Sequence, residues 1–147
     1  MLRFMPFTVE VHLDMEVSPE VAFDTLADHD SWPQWMPRVF LPVGPSLGTL
    51  RVGSVPKVRI NHLPFPTPLP VKVLDRPREI TWSGGSALLR GEHSFFFEAK
   101  DGGTRVTSSE KWSGPMAWML YPILRVGAAR VGLAQLRGIR KGAMKRA

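Results

Sequence analysis

Apolar and polar side chains alternate without interruption from Phe7 to Glu16. The odd-numbered positions carry Phe, Val, Leu or Met, and the even-numbered positions carry Thr, Glu, His or Asp. A period of two over ten residues is typical of a β-strand with one buried face. We therefore expect a half-buried strand in this segment.

Two short helices are predicted directly after this strand. Ser18-Pro19-Glu20 combines an N-cap residue, a proline at the first helical position and an early acid, which together indicate a helix start. The segment from His29 to Pro37 predicts a second short helical piece, which Pro37 ends because proline cannot continue a helix.

Six further strands follow in the pattern, at residues 39–43, 50–60, 71–74, 80–83, 87–100 and 104–112. Gly53 or Pro56 is expected to mark a bulge or an edge within the second of them. Four prolines between His62 and Pro70 predict a stiff extended connection rather than a strand pair.

A long helix is predicted from Pro115 to the C-terminal end, with Pro122 either kinking it or marking its true start. Its four glycines lower its intrinsic stability, so packing must hold it. The order of elements predicts an α+β domain, in which a curved antiparallel sheet of about seven strands surrounds the C-terminal helix. The length of 147 residues fits one domain, 1–147.

The hairpin near the end of the pattern allows its register to be predicted. Asp101-Gly102 is the preferred centre of a two-residue type I′ turn, so opposed residues should have numbers that sum to 203. His93 then faces Glu110, and a one-residue slip would turn the apolar set outward. Apolar and polar positions agree with this register: the concave face would receive Leu89, His93, Phe95, Phe97, Val106, Glu110 and Trp112.

His93 and Glu110 would therefore form a cross-strand pair on an apolar wall. One interpretation is a general acid/base pair, in which the carboxylate orients the imidazole and raises its proton affinity. The other interpretation is a satisfied buried polar pair that anchors a ligand group or a cavity water.

Aromatic and methionine side chains are candidates for lining a pocket, since the chain has five Trp, eight Phe and seven Met but one Tyr. The Trp32–Trp35 segment and the Phe65 loop are expected at the rim, because short helices and proline-rich loops lie near the surface. The alternative is that several of these side chains fill the core. The candidate ligand-binding residues are Trp32, Trp35, Met36, Phe65, Trp82, His93, Phe95, Glu110, Trp112, Met116 and Met119.

The net charge of +6 belongs to the C-terminal segment. Residues 111–147 hold eight Lys or Arg and no acid, whereas residues 1–110 hold 11 basic and 13 acidic residues. We expect a solvated helix face, with cations favoured near the helix C-terminus. Contact with phosphate or anionic lipid is the alternative. Stacking aromatics are missing among the cations, so nucleic acid is not an expected partner.

Several types of site are not expected, because the residues or the sequence context that they require are missing. There is no Cys, and the four histidines show no paired spacing, so no metal site or cofactor is expected. Gly44-Pro45-Ser46-Leu47-Gly48 matches G-x-S-x-G, but no helix follows, so it is interpreted as a turn. Met1 to Glu10 lacks the features of a signal peptide, and Arg125, Arg130 and Pro122 interrupt the apolar helix, so a cytoplasmic protein without a transmembrane segment is expected.

Six segments, in order over nearly the whole chain, resemble one family. They are Val17–Glu20, Asp30–Trp35, Arg76–Trp82, Gly91–Phe95, Gly103–Val106 and Glu110–Gly114. In these segments the chain is similar to the START-like (SRPBCC) superfamily of helix-grip, Bet v 1-like domains, in particular its polyketide cyclase/dehydrase and lipid-transport branch. The proline-rich loop and the basic, glycine-containing final helix depart from the usual pattern.

The resemblance implies a fold more clearly than an activity, since the family includes ligand carriers, cyclases, aromatase-like enzymes and co-chaperone-like domains. Binding of a small hydrophobic molecule, such as a lipid, quinone, polyketide or aromatic metabolite, is the leading hypothesis, with the site expected in a cavity between sheet and C-terminal helix. A cyclase or dehydratase using His93 and Glu110 is the second. An interaction module that docks on anionic membrane or acts as a co-chaperone is the third.

Overall fold

A computed structural model describes residues 5–61 and 63–147. The N-terminal residues 1–4, which carry part of the signal-peptide prediction, and His62, one of the four histidines, lie outside the described residues. The helices are α1 (Pro19–Ala27), α2 (Trp32–Trp35), α3 (Pro115–Met119) and α4 (Tyr121–Arg146), and a 3₁₀ turn at His29–Ser31 precedes α2. The strands are β1 (Phe7–Met15), β2 (Phe40–Val43), β3 (Lys57–Ile60), β4 (Thr67–Pro68), β5 (Val71–Asp75), β6 (Glu79–Gly85), β7 (Arg90–Lys100) and β8 (Gly103–Ser113).

The strands form two antiparallel sheets. Five strands pair in the order β1-β8-β7-β6-β5, and the other three pair in the order β2-β3-β4. The long helix α4 packs against β1, β8 and α1. The α+β helix-grip fold predicted from the sequence is confirmed, and the strands are divided between two sheets.

The β7–β8 hairpin has the predicted register. Lys100 pairs with Gly103 and His93 pairs with Glu110, so opposed residue numbers sum to 203 throughout. Asp101 and Gly102 both have positive φ, as the turn requires. Phe95, Phe97 and Val106 are consequently buried together on the concave face.

The segment between β2 and β5 differs from prediction in two places. Residues 50–56 form turns and loop rather than a strand, because Gly53 has a φ of +93° and Pro56 has no N–H for a ladder. The proline-rich connection does contain a strand pair, since Thr67 and Pro68 pair with β3. Leu69 N–H also donates to the Pro56 carbonyl at 2.8 Å, which extends this contact beyond β4.

Helix α1 starts as predicted and α2 is buried more deeply than predicted. The Ser18 hydroxyl accepts a hydrogen bond from Val21 N–H at 3.2 Å, with Pro19 in the first turn. The Trp32 indole is fully buried, and its Nε1–H donates to the Leu26 carbonyl at 2.9 Å. Because the short helix lies against the core, Trp32 and Trp35 belong to the interior and not to a rim.

Helix α4 lies flush on the sheet and on α2 because glycines face them. Pro122 is in its first turn and marks its start after α3. A Cβ at Gly132 would lie 2.9 Å from Ser108 Oγ, and one at Gly138 would overlap the Trp35 carbonyl oxygen. Leu136, between these glycines, and Ile139, directly after Gly138, are fully buried. The packing on which the predicted helix depends is thus a close approach of backbones.

Candidate functional site

The centre of the site is a trio of polar side chains on the concave face of the β7–β8 hairpin. His93 and Glu110 are cross-strand partners, and their Nδ1 and Oε1 atoms are 3.3 Å apart. Ser108 lies two residues before Glu110, on the same face, and its Oγ is 2.6 Å from His93 Nε2. The alternation of the strand therefore brings all three groups to one wall.

Aromatic rings surround the imidazole. The Phe95 ring stacks on His93 with centroids 4.2 Å apart, and the Trp82 ring meets it edge-on at 5.6 Å. The His93 side chain is 6% exposed and that of Glu110 is 14% exposed. Such an environment disfavours the charged form of both groups.

Burial sets the protonation of the pair. It lowers the pKa of His93 to about 3. It raises the pKa of Glu110 to about 8, and the nearby Trp112 indole N–H, which is not in hydrogen-bonding geometry, opposes that rise. At neutral pH both groups are therefore predominantly uncharged.

The prediction that Glu110 raises the proton affinity of His93 is wrong, because desolvation of the imidazole outweighs the attraction of a carboxyl group that is itself protonated. In this arrangement the protonated Glu110 carboxyl group donates to His93 Nδ1, and His93 Nε2–H donates to Ser108 Oγ. The second carboxyl oxygen, Oε2, and the Trp112 Nε1–H have no hydrogen-bond partner among the described residues.

Beside this trio lies an apolar pocket of about 550 Å³. It is enclosed by the three-stranded sheet on one side and by β6, β7 and β8 on the other. The lining residues are Phe40, Ile60, Leu63, Phe65, Thr67, Leu69, Trp82, Gly84, Gly85, Ser86, Leu89, Gly91, Glu92, His93, Glu110 and Trp112. The volume lies within the roughly 300–1,000 Å³ typical of small-molecule sites.

The pocket is not where the sequence placed it. A cavity between the sheet and the C-terminal helix was expected, but no described residue of α4 lines this pocket. Helix α4 contacts the same face of the sheet farther along, where a Cβ at Gly132 would lie 2.9 Å from Ser108 Oγ, and the pocket between β1 and the start of α4 is smaller, about 350 Å³. The space opens instead between the two sheets, where Gly84, Gly85 and Gly91 contribute no side chains.

The structure brings together five of the predicted binding residues and separates the others from them. Phe65, Trp82, His93, Glu110 and Trp112 line the pocket. Trp32, Trp35, Met36 and Phe95 are buried core residues outside its lining. Met119 is exposed and Met116 is half-buried, both on α3 and also outside the lining. Contact of any of these side chains with a ligand stays a prediction.

Sequence reasoning missed the wall made by β2, β3 and the proline-rich loop. Phe40, Ile60 and Leu69 come from segments that are far apart in sequence, and only the pairing of β2 with β3 and β4 assembles them. The alternation of Val58 and Ile60 was a signal that one face of β3 is apolar. Gly91 pairs with Trp112, as the predicted register requires, and the Trp112 indole lies 3.1 Å from where a Cβ of Gly91 would be.

Two further observations bear on the site. Within residues 5–61 and 63–147, no three His, Asp or Glu side chains gather in an arrangement that could hold a metal ion. In the same part of the chain, no helix has both the length and the apolar character needed to cross a bilayer.

A helix-grip domain with a ligand-sized apolar pocket is the class that this fold and site define. The model of the family described as "Polyketide cyclase / dehydrase and lipid transport" matches residues 6–143, and the chain belongs to this family. The resemblance seen in the sequence is thereby confirmed. No curated protein matches the chain in sequence.

Solved structures share the fold at low sequence identity. A point mutant of norcoclaurine synthase from Thalictrum flavum, in complex with a transition state analogue, superposes with a TM-score of 0.75 at 11% identity over 99% of both chains. The di-domain ARO/CYC StfQ from the steffimycin biosynthetic pathway gives 0.71 at 16% identity, over 96% of this chain and 51% of StfQ. Protein Ms6760 from Mycobacterium smegmatis gives 0.67 at 16%, over 91% of this chain and 88% of that one. At these identities the likeness establishes the fold alone.

Proposed function

We propose that this protein binds a small, uncharged hydrophobic molecule in the pocket between its two sheets. The observation that carries the proposal is the pocket itself, about 550 Å³ with a mostly apolar wall. Concave apolar sites with a few polar groups are the usual form of small-molecule sites. Leu63 and Phe65 line the pocket and are exposed, which supports an opening of the pocket to solvent beside the proline-rich loop.

The charges around the pocket support an uncharged ligand. Among residues 5–61 and 63–147, the lining contains two acids, Glu92 and Glu110, and no Lys or Arg. A carboxylate taken from water into this site would find no cation among these lining residues to offset its desolvation. A hydroxyl or carbonyl group, by contrast, can use Glu110 Oε2 or Trp112 Nε1–H, the unpartnered groups of the wall.

The experiment uses the neutral fluorescent probe N-phenyl-1-naphthylamine and two competitors of one ring system. We expect the probe to bind, and 2-naphthol to displace it at a concentration at least about tenfold lower than 2-naphthoate, a difference of about 1.4 kcal/mol. Equal displacement by the two competitors would contradict the preference for uncharged molecules. Failure of the folded protein to bind any of the three would contradict binding itself.

A matched pair of substitutions ties binding to the pocket. Thr67→Trp fills the pocket wall and should weaken probe binding at least about tenfold. Thr107→Trp adds the same side chain at a half-buried strand position outside the pocket and should leave binding unchanged. Equal effects of both substitutions would place the probe elsewhere.

The second candidate function is proton transfer to or from a bound carbonyl compound, as in a cyclase or dehydratase. It is favoured by the pKa of Glu110, which burial brings to about 8, since a catalytic acid or base works best near the ambient pH. In this version the ionised carboxylate of Glu110 accepts the substrate proton at Oε2 and returns it from the same oxygen, while His93 and Ser108 hold the carboxyl group in place through Oε1.

Deuterium exchange tests this candidate. Protein in D₂O should accelerate loss of the protons next to the carbonyl of 2-tetralone, followed by NMR, and Glu110→Gln should abolish the acceleration without abolishing probe binding. An equal exchange rate with wild type, variant and buffer alone would rule out proton transfer to this ketone and leave binding as the function.

A further inference from the structure

The outer side of α3 and of the first turns of α4 carries three exposed aliphatic side chains. Met119 and Ile123 are each 69% exposed, and Val126 is 53% exposed. Their spacings of four and three residues place them on one side of the helical segment. The opposite side of α4 faces the sheet, where Gly132 approaches Val11 and Ser108. Clustered aliphatic residues of this exposure mark an interaction surface.

Basic side chains lie on the same side of α4, closer to the C-terminus. Arg130, Arg137 and Lys141 follow Ile123 by 7, 14 and 18 residues, which are near-integral numbers of helical turns. All three are exposed, and none forms an ion pair within residues 5–61 and 63–147, which include every acidic residue of the chain. We name Met119, Ile123, Val126, Arg130, Arg137 and Lys141 the α4 outer face.

We propose that the α4 outer face docks on the surface of an anionic lipid bilayer. The aliphatic end inserts at the headgroup boundary, and the three cations contact lipid phosphates. Charge complementarity selects this partner, because residues 111–147 carry eight cations and no acid. The expectation of a merely solvated helix face did not anticipate that exposed aliphatic residues share the side with the cations.

Two aromatic residues at the start of the helical segment lie on the side that faces β1, away from the α4 outer face, because the Trp118 and Tyr121 rings both pack edge-on against Phe7. Trp118 is 39% exposed and stacks on Tyr121, with ring centroids 5.4 Å apart. Its indole N–H donates to the Met5 carbonyl at 2.6 Å, which fixes the ring at the surface. These contacts hold the start of the helical segment on β1, so that Ile123 and Val126 on the opposite side face outward.

The proposed docking face begins beside the wall of the pocket. Met116 N–H donates to the Leu88 carbonyl at 3.0 Å, so α3 is held by the turn between β6 and β7. Ser86 and Leu89 of the same turn line the pocket. The docking proposal does not depend on ligand binding, but a docked protein would hold this end of the pocket near the bilayer.

Co-sedimentation with vesicles tests the proposal. We expect binding to vesicles of 70% phosphatidylcholine and 30% phosphatidylserine in 0.1 M NaCl, and weaker binding in 0.5 M NaCl because salt screens the cations. Vesicles of phosphatidylcholine alone should bind at least about tenfold less. No binding to the anionic vesicles, or equal binding to both compositions, would overturn the proposal.

Three triple variants locate the surface. Arg130→Gln/Arg137→Gln/Lys141→Gln and Met119→Ser/Ile123→Ser/Val126→Ser should each weaken binding to the anionic vesicles at least about tenfold. The control, Arg51→Gln/Lys57→Gln/Lys72→Gln, removes three exposed cations elsewhere and should weaken it less than about threefold. Far-UV circular dichroism and urea denaturation report that each variant is folded, independently of ligand binding. If the control variant bound the anionic vesicles as weakly as the first variant, net charge alone would govern binding, and the proposal of a docking face would be wrong.

Discussion

Glu110 and His93 show how burial changes the chemistry of two ordinary side chains. In water near neutral pH the glutamate would be ionised and the histidine would titrate close to its pKa of 6.5. Among Phe95, Trp82 and Trp112, the pKa of Glu110 rises to about 8 and that of His93 falls to about 3. The pair therefore presents an uncharged carboxyl group to the pocket at neutral pH.

The shifted pKa of Glu110 makes stability depend on pH. Its pKa is 4.5 when unfolded and about 8 when folded, so its contribution to stability is complete below about pH 4.5 and is lost as the pH rises through 8. The contribution of His93 has the opposite sign and is lost as the pH falls from 6.5 toward 3. Between pH 6.5 and 8, therefore, Glu110 makes the larger contribution of the pair to the change in the free energy of unfolding, because the unfolded histidine has only half a proton left to lose.

We expect the wild-type protein to lose about 1 to 2 kcal/mol of unfolding free energy between pH 6.5 and 8, measured by urea denaturation, and Glu110→Gln to lose much less over that interval. Glu98→Gln, on the exposed face of the same hairpin, should keep the wild-type slope. A Glu110→Gln slope equal to that of wild type would mean that the carboxyl group is ionised in the folded protein.

At the scale of elements, α4 is a helix whose glycines lower its intrinsic stability and whose tertiary packing stabilises it. Gly127 and Gly138 both reduce helix propensity by about 1 kcal/mol relative to Ala. In the part of the chain that the structure describes, a Cβ at Gly127 would meet no atom within 4 Å, whereas one at Gly138 would overlap the backbone of Trp35. Within the same helix, therefore, the structure has room for a side chain at Gly127 but requires glycine at Gly138.

The element prediction compares these two positions by urea denaturation. Gly127→Ala should raise the free energy of unfolding by about 0.5 to 1 kcal/mol, through helix propensity alone. Gly138→Ala should lower it by roughly 1 to 3 kcal/mol, because α2 must move away from α4 to accept the methyl group. Stabilisation by both substitutions would show that α2 and α4 are not held as closely as described.

At the scale of the whole molecule, the long helix and the three-stranded sheet have different roles beside the five-stranded sheet. The helix fills the space that the five-stranded sheet leaves beside β1, β8 and α1, and its glycines make that contact close. The three-stranded sheet covers β6, β7 and β8 with apolar residues but leaves about 550 Å³ open. Ligand binding is thus proposed on one side of the molecule, and membrane contact on a helix face that begins next to it.

The sequence by itself determined the kinds and order of the elements, since alternation, capping residues and prolines act over a few residues. It also determined the β7–β8 register and hence the His93–Glu110 pair, because Asp101-Gly102 defines a two-residue turn and the side-chain period is two. Only the tertiary structure decided where the pocket lies, since Phe40, Ile60 and Trp82 meet through pairings between distant strands and sheets. It alone decided the burial of Trp32 and the position of the proton on Glu110, because desolvation depends on every group that surrounds a side chain and not on its neighbours in sequence.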